Sequence, residues 1–154
     1  MREGDVVDDF ELPDETGTPR RLSELLRNGP VVLFFYPAAM TPGCTKESCH
    51  FRDLAGEFAA VGAQRVGISR DAVDKQHEFS TKHDFDFPLL SDPDRTVAEL
   101  FGVKRGFAGL SPNQRVTFVI DTDRRILARI ASEVRMHTHA DQALDVLRAR
   151  TASA

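Results

Sequence analysis

The chain contains only two cysteines, Cys44 and Cys49, and they do not form a C-x-x-C pair. That absence argues against a thioredoxin-type dithiol. Two thiols without a His pair at finger spacing also make a poor zinc constellation, so no metal is expected. There is no excess of positive charge. The chain carries 20 basic and 24 acidic residues, a net charge of −4, which argues against nucleic acid or an anionic membrane as a partner. Long apolar runs are missing as well. The longest, Val31 to Tyr36, is far short of a membrane span. The first residues, MREGDVVDDFELPDE, are acidic and polar, so no secretory signal is visible and a cytoplasmic location is expected. In that compartment a disulfide is usually transient and catalytic rather than structural. No internal repeat or low-complexity tract occurs.

The remaining features suit a single compact domain, 1–154. A chain of 154 residues, 41% hydrophobic and 29% charged, can bury a substantial core. DDFELPDETGTPRRLSEL reads as a short strand, a turn at Asp14–Gly17 and a helical turn at Ser23. VVLFFYP is a continuous β-rich run ended by Pro37, the pattern of a strand buried on both faces. A helix is expected from Thr41 through Val61, and a second buried strand in AQRVGIS. DAVDKQHEFSTKH reads as a helix with Asp71 as its N-cap. FDFPLLSD is a short strand and turn, and DRTVAELFGV a helix closed by Gly102. KRGFAGLSPNQ is a Gly/Pro-rich loop. RVTFVID and RILARIA flank TDRR as a hairpin. HADQALDVLRAR is an amphipathic helix, and ARTASA after it is expected to fray. Strands separated by helices imply parallel pairing, and the late hairpin adds antiparallel pairing at one edge. This α/β order is the thioredoxin-like pattern, a mixed central sheet with helices on both faces. Composition alone leaves a flavodoxin-like sheet open.

The helix that carries the cysteines is the most informative segment. Thr41-Pro42 matches an N-cap followed by proline at the first helical position. That register makes Gly43 the second and Cys44 the third residue of the helix. Unpartnered N–H groups and the positive end of the macrodipole there favour a thiolate, the form that attacks an electrophile. At 100° per residue, Phe51, Ala55 and Phe58 lie within about 40° of Cys44, so Cys44 faces inward, toward the floor of a pocket. Cys49 is about 140° round, on the polar side with Arg52, Asp53 and Gly56. Five residues of helix separate the two Cα atoms by roughly 8.6 Å. A disulfide needs less than about 7 Å, so the first turns must unwind for one to form. Gly43 and the β-branched Thr45 make that end cheap to unwind. Arg52 reads as a structural ion-pair partner, Glu47, which projects on the Cys44 side, as a partner of the helix dipole, and His137-Thr138-His139 as a solvated helix start.

FFYPAAMTPGCTKESCHFRD resembles the active-site signature of the peroxiredoxins, P-x-x-x-T-x-x-C. It is most similar to the peroxiredoxin Q, or bacterioferritin-comigratory, branch, in which a second cysteine follows five residues after the first. KQHEFSTKHDFDFPLLSDPDRTVAELFGV and RVTFVID are similar to that branch at the expected places, so the resemblance runs from about Gly4 to Leu147. It implies a thiol-dependent peroxidase without a cofactor. Cys44 becomes the peroxidatic cysteine, oxidised to a sulfenic acid. Thr41 hydrogen-bonds the thiolate or the peroxide, Pro37 walls the pocket, and Arg115 stabilises the thiolate and the developing charge. The N–H groups of Gly43 and Cys44 hold the peroxide oxygens. Cys49 becomes the resolving cysteine, closing an intramolecular disulfide that a thioredoxin-type dithiol reduces. Each role has a physical basis. Cleaving a peroxide builds negative charge on the departing oxygen, which fixed donors and a guanidinium stabilise. A sulfenic acid must also meet a thiol before it is over-oxidised.

One departure from the family pattern is Ala38 to Met40, where a polar residue, commonly lysine, is usual soon after the proline. The more apolar rim points to organic hydroperoxides. Two other readings compete. A disulfide reductase lacks its C-x-x-C. A redox sensor or holdase would use the unwinding helix as a switch exposing Phe51 and Phe58. Resolution within one chain needs no dimer, so a monomer is expected.

Overall fold

A computed structural model of the chain describes residues 1–104 and 113–153. Most of the loop expected at KRGFAGLSPNQ, residues 105–112, lies outside the described residues. Val31–Phe35 forms the central strand, β3, and all five of its residues are buried. β-branched and aromatic side chains without polar alternation suit a strand covered on both faces. The sheet around it runs β5 (Leu89–Ser91), β4 (Gln64–Ser69), β3, β6 (Val116–Ile120), β7 (Ile126–Ala131). β3, β4 and β5 are mutually parallel, whereas β6 is antiparallel to β3 and pairs with β7 as a hairpin. This is the thioredoxin-like mixed sheet expected from the element order.

The two-residue period of β3 sorts its side chains into two cores. Val31, Leu33 and Phe35 pack with Leu22 and Leu25 of α1 (Leu22–Leu25) and with Val97, Ala98 and Phe101 of α5 (Thr96–Phe101). Val32, Phe34 and Tyr36 face the other way. They meet Phe51 of α2 (Pro42–Asp53), Phe58 of α3 (Ala55–Ala60), Phe79 of α4 (Val73–His83) and Ala140, Ala143, Leu144 and Leu147 of α6 (Met136–Ser153). The Phe34 and Phe51 rings stack at 4.2 Å between centroids and 9° between planes, which seats α2 on the sheet. Among the described residues no helix is long and apolar enough to cross a membrane.

Several local expectations change. A second short strand, β2 (Pro19–Arg21), pairs antiparallel with β1 (Glu11–Pro13) across the expected turn. Buried Asp14 organises that turn by accepting from Thr16, Thr18 and Arg20. The helix expected over residues 41–61 breaks at Leu54, whose ψ of 21° is not helical. Gly56, a weak helix former, follows within two residues and makes the break inexpensive. Asp71 does not cap α4, whose N-cap is Ala72 without a side-chain bond. The Asp71 carboxylate accepts instead from Ala39 N at 2.7 Å and Ser69 Oγ at 2.6 Å, tying the connection before α2 to the end of β4. α6 begins at Met136, three residues earlier than expected, and continues through the segment expected to fray.

The seat of α2 leaves little room. Gly67 in β4 is the register partner of Phe34. A Cβ at Gly67 would lie 2.8 Å from Leu89 Cδ2 and 3.0 Å from Phe34 Cζ. Gly67→Ala therefore pushes on the ring that carries Phe51, and we expect it to destabilise the fold by about 1–3 kcal/mol. Urea unfolding measures this, and an unchanged midpoint would mean that the rings can move aside freely.

Candidate active site

Thr41 holds extended backbone (φ −83°, ψ 153°) and Pro42 opens α2, so Gly43 and Cys44 occupy the second and third helical positions. Thr45 N donates to Thr41 O at 2.9 Å to close the first turn. The Thr41 hydroxyl does not cap the helix or reach the sulfur. It donates to Ala38 O at 2.7 Å, and Thr41 is exposed. Met40 just before it adopts a left-handed φ of 69°. Cys44, Glu47, Ser48 and Phe51 form the buried face of α2 at the i, i+3, i+4, i+7 spacing of one helix side.

Arg115 immediately precedes β6 and is brought to this face. Its Nη2 lies 3.3 Å from Cys44 Sγ and its Nη1 3.0 Å from Glu47 Oε1. The Arg115 backbone N donates to Glu133 Oε1 at 3.2 Å, fixing the strand entry. Gly43 is half-buried at the edge of the group. A Cβ there would stand 3.2 Å from Arg115 Nη2 and 3.7 Å from Met136 Cε, so glycine is what lets the guanidinium approach closely. Pro37 follows Tyr36 beyond the end of β3 and is half-buried. Cys44 itself is 0% exposed. The sulfur therefore faces inward, away from solvent, with the Arg115 guanidinium against it.

Burial governs the charges. It pushes the Glu47 carboxyl up to about 8, with the Arg115 guanidinium pulling the other way. Burial also opposes the Arg115 charge, but Glu47 and Cys44 outweigh it and hold that group above its usual value. Cys49 is half-buried, and desolvation raises its thiol although Arg52 acts in the opposite sense. Both cysteines are free, and α2 is continuous across them. The intact helix therefore keeps their Cα atoms roughly 8.6 Å apart. Arg52 pairs with Asp53 at 2.9 Å and donates to His83 O at 2.7 Å, a structural role as expected.

Two members of the cluster were misread from the sequence. Glu47 is 0% exposed and lies on the Cys44 side as expected, but its partner is the Arg115 guanidinium rather than the helix dipole alone. His139 is also 0% exposed, with ring nitrogens near Thr117 and Ser132, rather than part of a solvated helix start. For His139 the available signal was its four-residue step to Ala143 on the apolar stripe. His137 is exposed and lies against His50, with ring centroids 4.2 Å apart, and His50 pairs with Asp141. Among the described residues, no group of three or more His, Cys, Asp or Glu is placed to hold a metal ion.

A buried thiol, a guanidinium on it and free amides at a helix start can hold and attack a polarised electrophile. Comparison with known proteins gives that arrangement a family. The pattern of the AhpC/TSA family matches residues 4–129. Peroxiredoxin Bcp of Escherichia coli is 36% identical over 152 residues, covering 96% of both chains. The crystal structure of peroxidoxin BcpB from Mycobacterium tuberculosis superposes with a TM-score of 0.94 at 68% identity, covering 97% of each chain. A structure of the bacterioferritin comigratory protein of Xanthomonas campestris, described for its alkyl peroxide reduction activity, matches at 30% identity and a TM-score of 0.84 over 95% of this chain and 99% of that one. The chain belongs to the AhpC/TSA family and is a peroxiredoxin of the Bcp/PrxQ branch, a thiol peroxidase.

Proposed function

We propose that the protein reduces hydrogen peroxide and organic hydroperoxides by a two-cysteine cycle within one chain. The observation that carries this reading is the placement of Arg115 Nη2 3.3 Å from the sulfur of a fully buried Cys44 in the first turn of α2. The Cys44 thiolate attacks one peroxide oxygen, the O–O bond breaks, and the other oxygen leaves as an alkoxide or hydroxide that takes up a proton. Arg115 and the N–H groups of Gly43 and Cys44 stabilise the charge that develops. The Thr41 hydroxyl spends its hydrogen on Ala38 O, so its lone pairs are free to accept from the peroxide O–H. That bond orients the peroxide relative to sulfur, while Pro37 limits access of water.

Resolution follows a change of shape. The first turns of α2 unwind, Cys49 attacks the sulfenic sulfur, and water leaves as the disulfide forms. A thioredoxin-type dithiol then restores both thiols. The rim favours organic substituents: Met40 is half-buried against the aromatic core, and Met136 lies over Gly43. Alkyl peroxide reduction by the Xanthomonas relative is in line with this. The enzyme works as a monomer, since the peroxide and disulfide-forming steps draw every protein group from one chain and need no dimer.

Peroxide consumption with thioredoxin and thioredoxin reductase tests the assignments. Cys44→Ser should abolish turnover, and full retention of activity would overturn the mechanism. Cys49→Ser should react once, stall at the sulfenic acid and over-oxidise by 32 Da under excess peroxide, roughly the mass of two added oxygens. Sustained turnover in that variant would assign resolution to another thiol. Arg115→Met should lower kcat/KM by about 10²–10³, the scale for loss of one charge-stabilising donor. A loss below fivefold, on a scale where each tenfold is about 1.4 kcal/mol, would remove Arg115 from the chemistry.

A further inference from the structure

His50 follows Cys49 directly in α2, and no step above uses it. Its ring reaches across to α6 and is gripped there twice. Nε2 lies 2.8 Å from Asp141 Oδ1. A carboxylate oxygen only accepts, so Nε2 carries the ring hydrogen and donates it. The same ring lies against that of His137, at 4.2 Å between centroids and 32° between planes. His137 and Asp141 stand one helical turn apart, so one face of α6 presents both. Beyond His50, α2 is fastened elsewhere. Phe51 O accepts from Arg65 Nη1 at 2.9 Å, the Phe51 ring stacks on Phe34, and Arg52 donates to His83 O. Before it, the contacts of Cys44 and Glu47 with Arg115 belong to the turn that carries the nucleophile. The fastening next to Cys49 is therefore the one between His50 and α6.

For a disulfide, the Cα atoms of Cys44 and Cys49 must close from roughly 8.6 Å to within about 7 Å. Residues 44–49 then leave the helix. The carbonyls of residues 46–49, which accept from the N–H groups of residues 50–53 in an intact helix, lose those partners. The turn on which His50 is mounted loosens with them, and its side chain no longer meets α6 in register. A contact made only in the closed helix biases the opening equilibrium by its own free energy. We propose that His50 and Asp141 are positioning residues for resolution: the bond between them holds the Cys49 turn of α2 against α6, and its release sets how fast the disulfide forms. This rests on the two-cysteine reading of the cycle. The bond keeps α2 helical while Cys44 meets peroxide, and it lengthens the life of the sulfenic acid that follows.

The test mixes the reduced protein rapidly with hydrogen peroxide and quenches at intervals, so that loss of thiol and gain of disulfide are read separately. Asp141→Ala leaves the sequence of α2 unaltered and should speed disulfide formation about two- to fivefold, the scale for a partly exposed ion pair. The peroxide step should be unchanged. Under excess peroxide the fraction of Cys44 carried to sulfinic acid should fall, because the sulfenic acid is consumed sooner. His50→Ala removes the ring contact as well and should speed the same step further. His50→Gln, whose amide N–H can reach Asp141, should return the rate toward that of the unaltered protein. That recovery should vanish in an Asp141→Ala background, since it needs the carboxylate. Arg150→Ala removes a comparable pair further along α6, Arg150 with Asp121 at 3.0 Å, and should change neither step. Disulfide formation that is slowed or unchanged in Asp141→Ala, an equal gain in Arg150→Ala, or a glutamine recovery that persists without Asp141 would overturn the proposal. Cys49→Ser in the same assay distinguishes the failures. A disulfide cycle that persists there sinks the two-cysteine reading, whereas its loss there beside an unaffected Asp141→Ala sinks only this inference.

Discussion

One guanidinium buried between a thiol and a carboxyl is the constraint around which this molecule is organised. Arg115 touches Cys44 and Glu47 at once, and both of those residues are 0% exposed. At a buried site an unpaired charge is costly, so the guanidinium needs the carboxyl and the thiol beside it. The sheet does this through register. Phe35 pairs with Val116 across β3 and β6. Arg115 consequently arrives where β3 ends and the chain turns through Pro37 toward α2. A slip of one residue would send its side chain to the opposite face. The bond from Arg115 N to Glu133 and the bond from Ser132 N to Arg115 O hold the strand entry in place.

The two ends of α2 are held by different forces. Phe51, toward its C-terminal end, is stacked on Phe34 and near Phe58, an aromatic seat whose burial contributes about 2–3 kcal/mol for the ring alone. The N-terminal end is held by polar contacts: Cys44 and Glu47 to Arg115, and Asp71 to Ala39 just ahead of the helix. Polar contacts of this kind open at lower free energy than a packed aromatic cluster. In the proposed cycle that asymmetry confines unwinding to the turns around Cys44 while the rest of α2 stays docked. The distance between the thiols, too great for a bond in the intact helix, then becomes a means of separating attack from resolution.

Much of the architecture was legible in the chain. A continuous apolar run marked β3, β-rich stretches marked β4 and β6, and the pairing followed from which strands had helices between them. The errors cluster where a side chain is used by a distant element. Asp71 looked like a helix cap because caps are local, yet Ala39, 32 positions earlier, claims its carboxylate. Glu47 looked like a dipole partner because a first-turn acid usually is one. His139 looked solvated because two nearby histidines suggest a polar start. The Leu54 break escaped notice because the apolar spacing continues across it to Phe58.

The sequence by itself determined where Cys44 stands in its helix, which side it faces and why Cys49 is out of reach. These follow from Thr-Pro-Gly and from a rise and rotation per residue that do not depend on the rest of the fold. Only the tertiary structure decided that the sulfur is covered, that the Thr41 hydroxyl turns to Ala38, and that Arg115, Glu47 and His139 share one buried cluster. Helical periodicity reads a neighbourhood of a few residues. The contact between Arg115 and Cys44 spans 71 positions and exists only because the sheet register and the docking of α2 and α6 close on the same point.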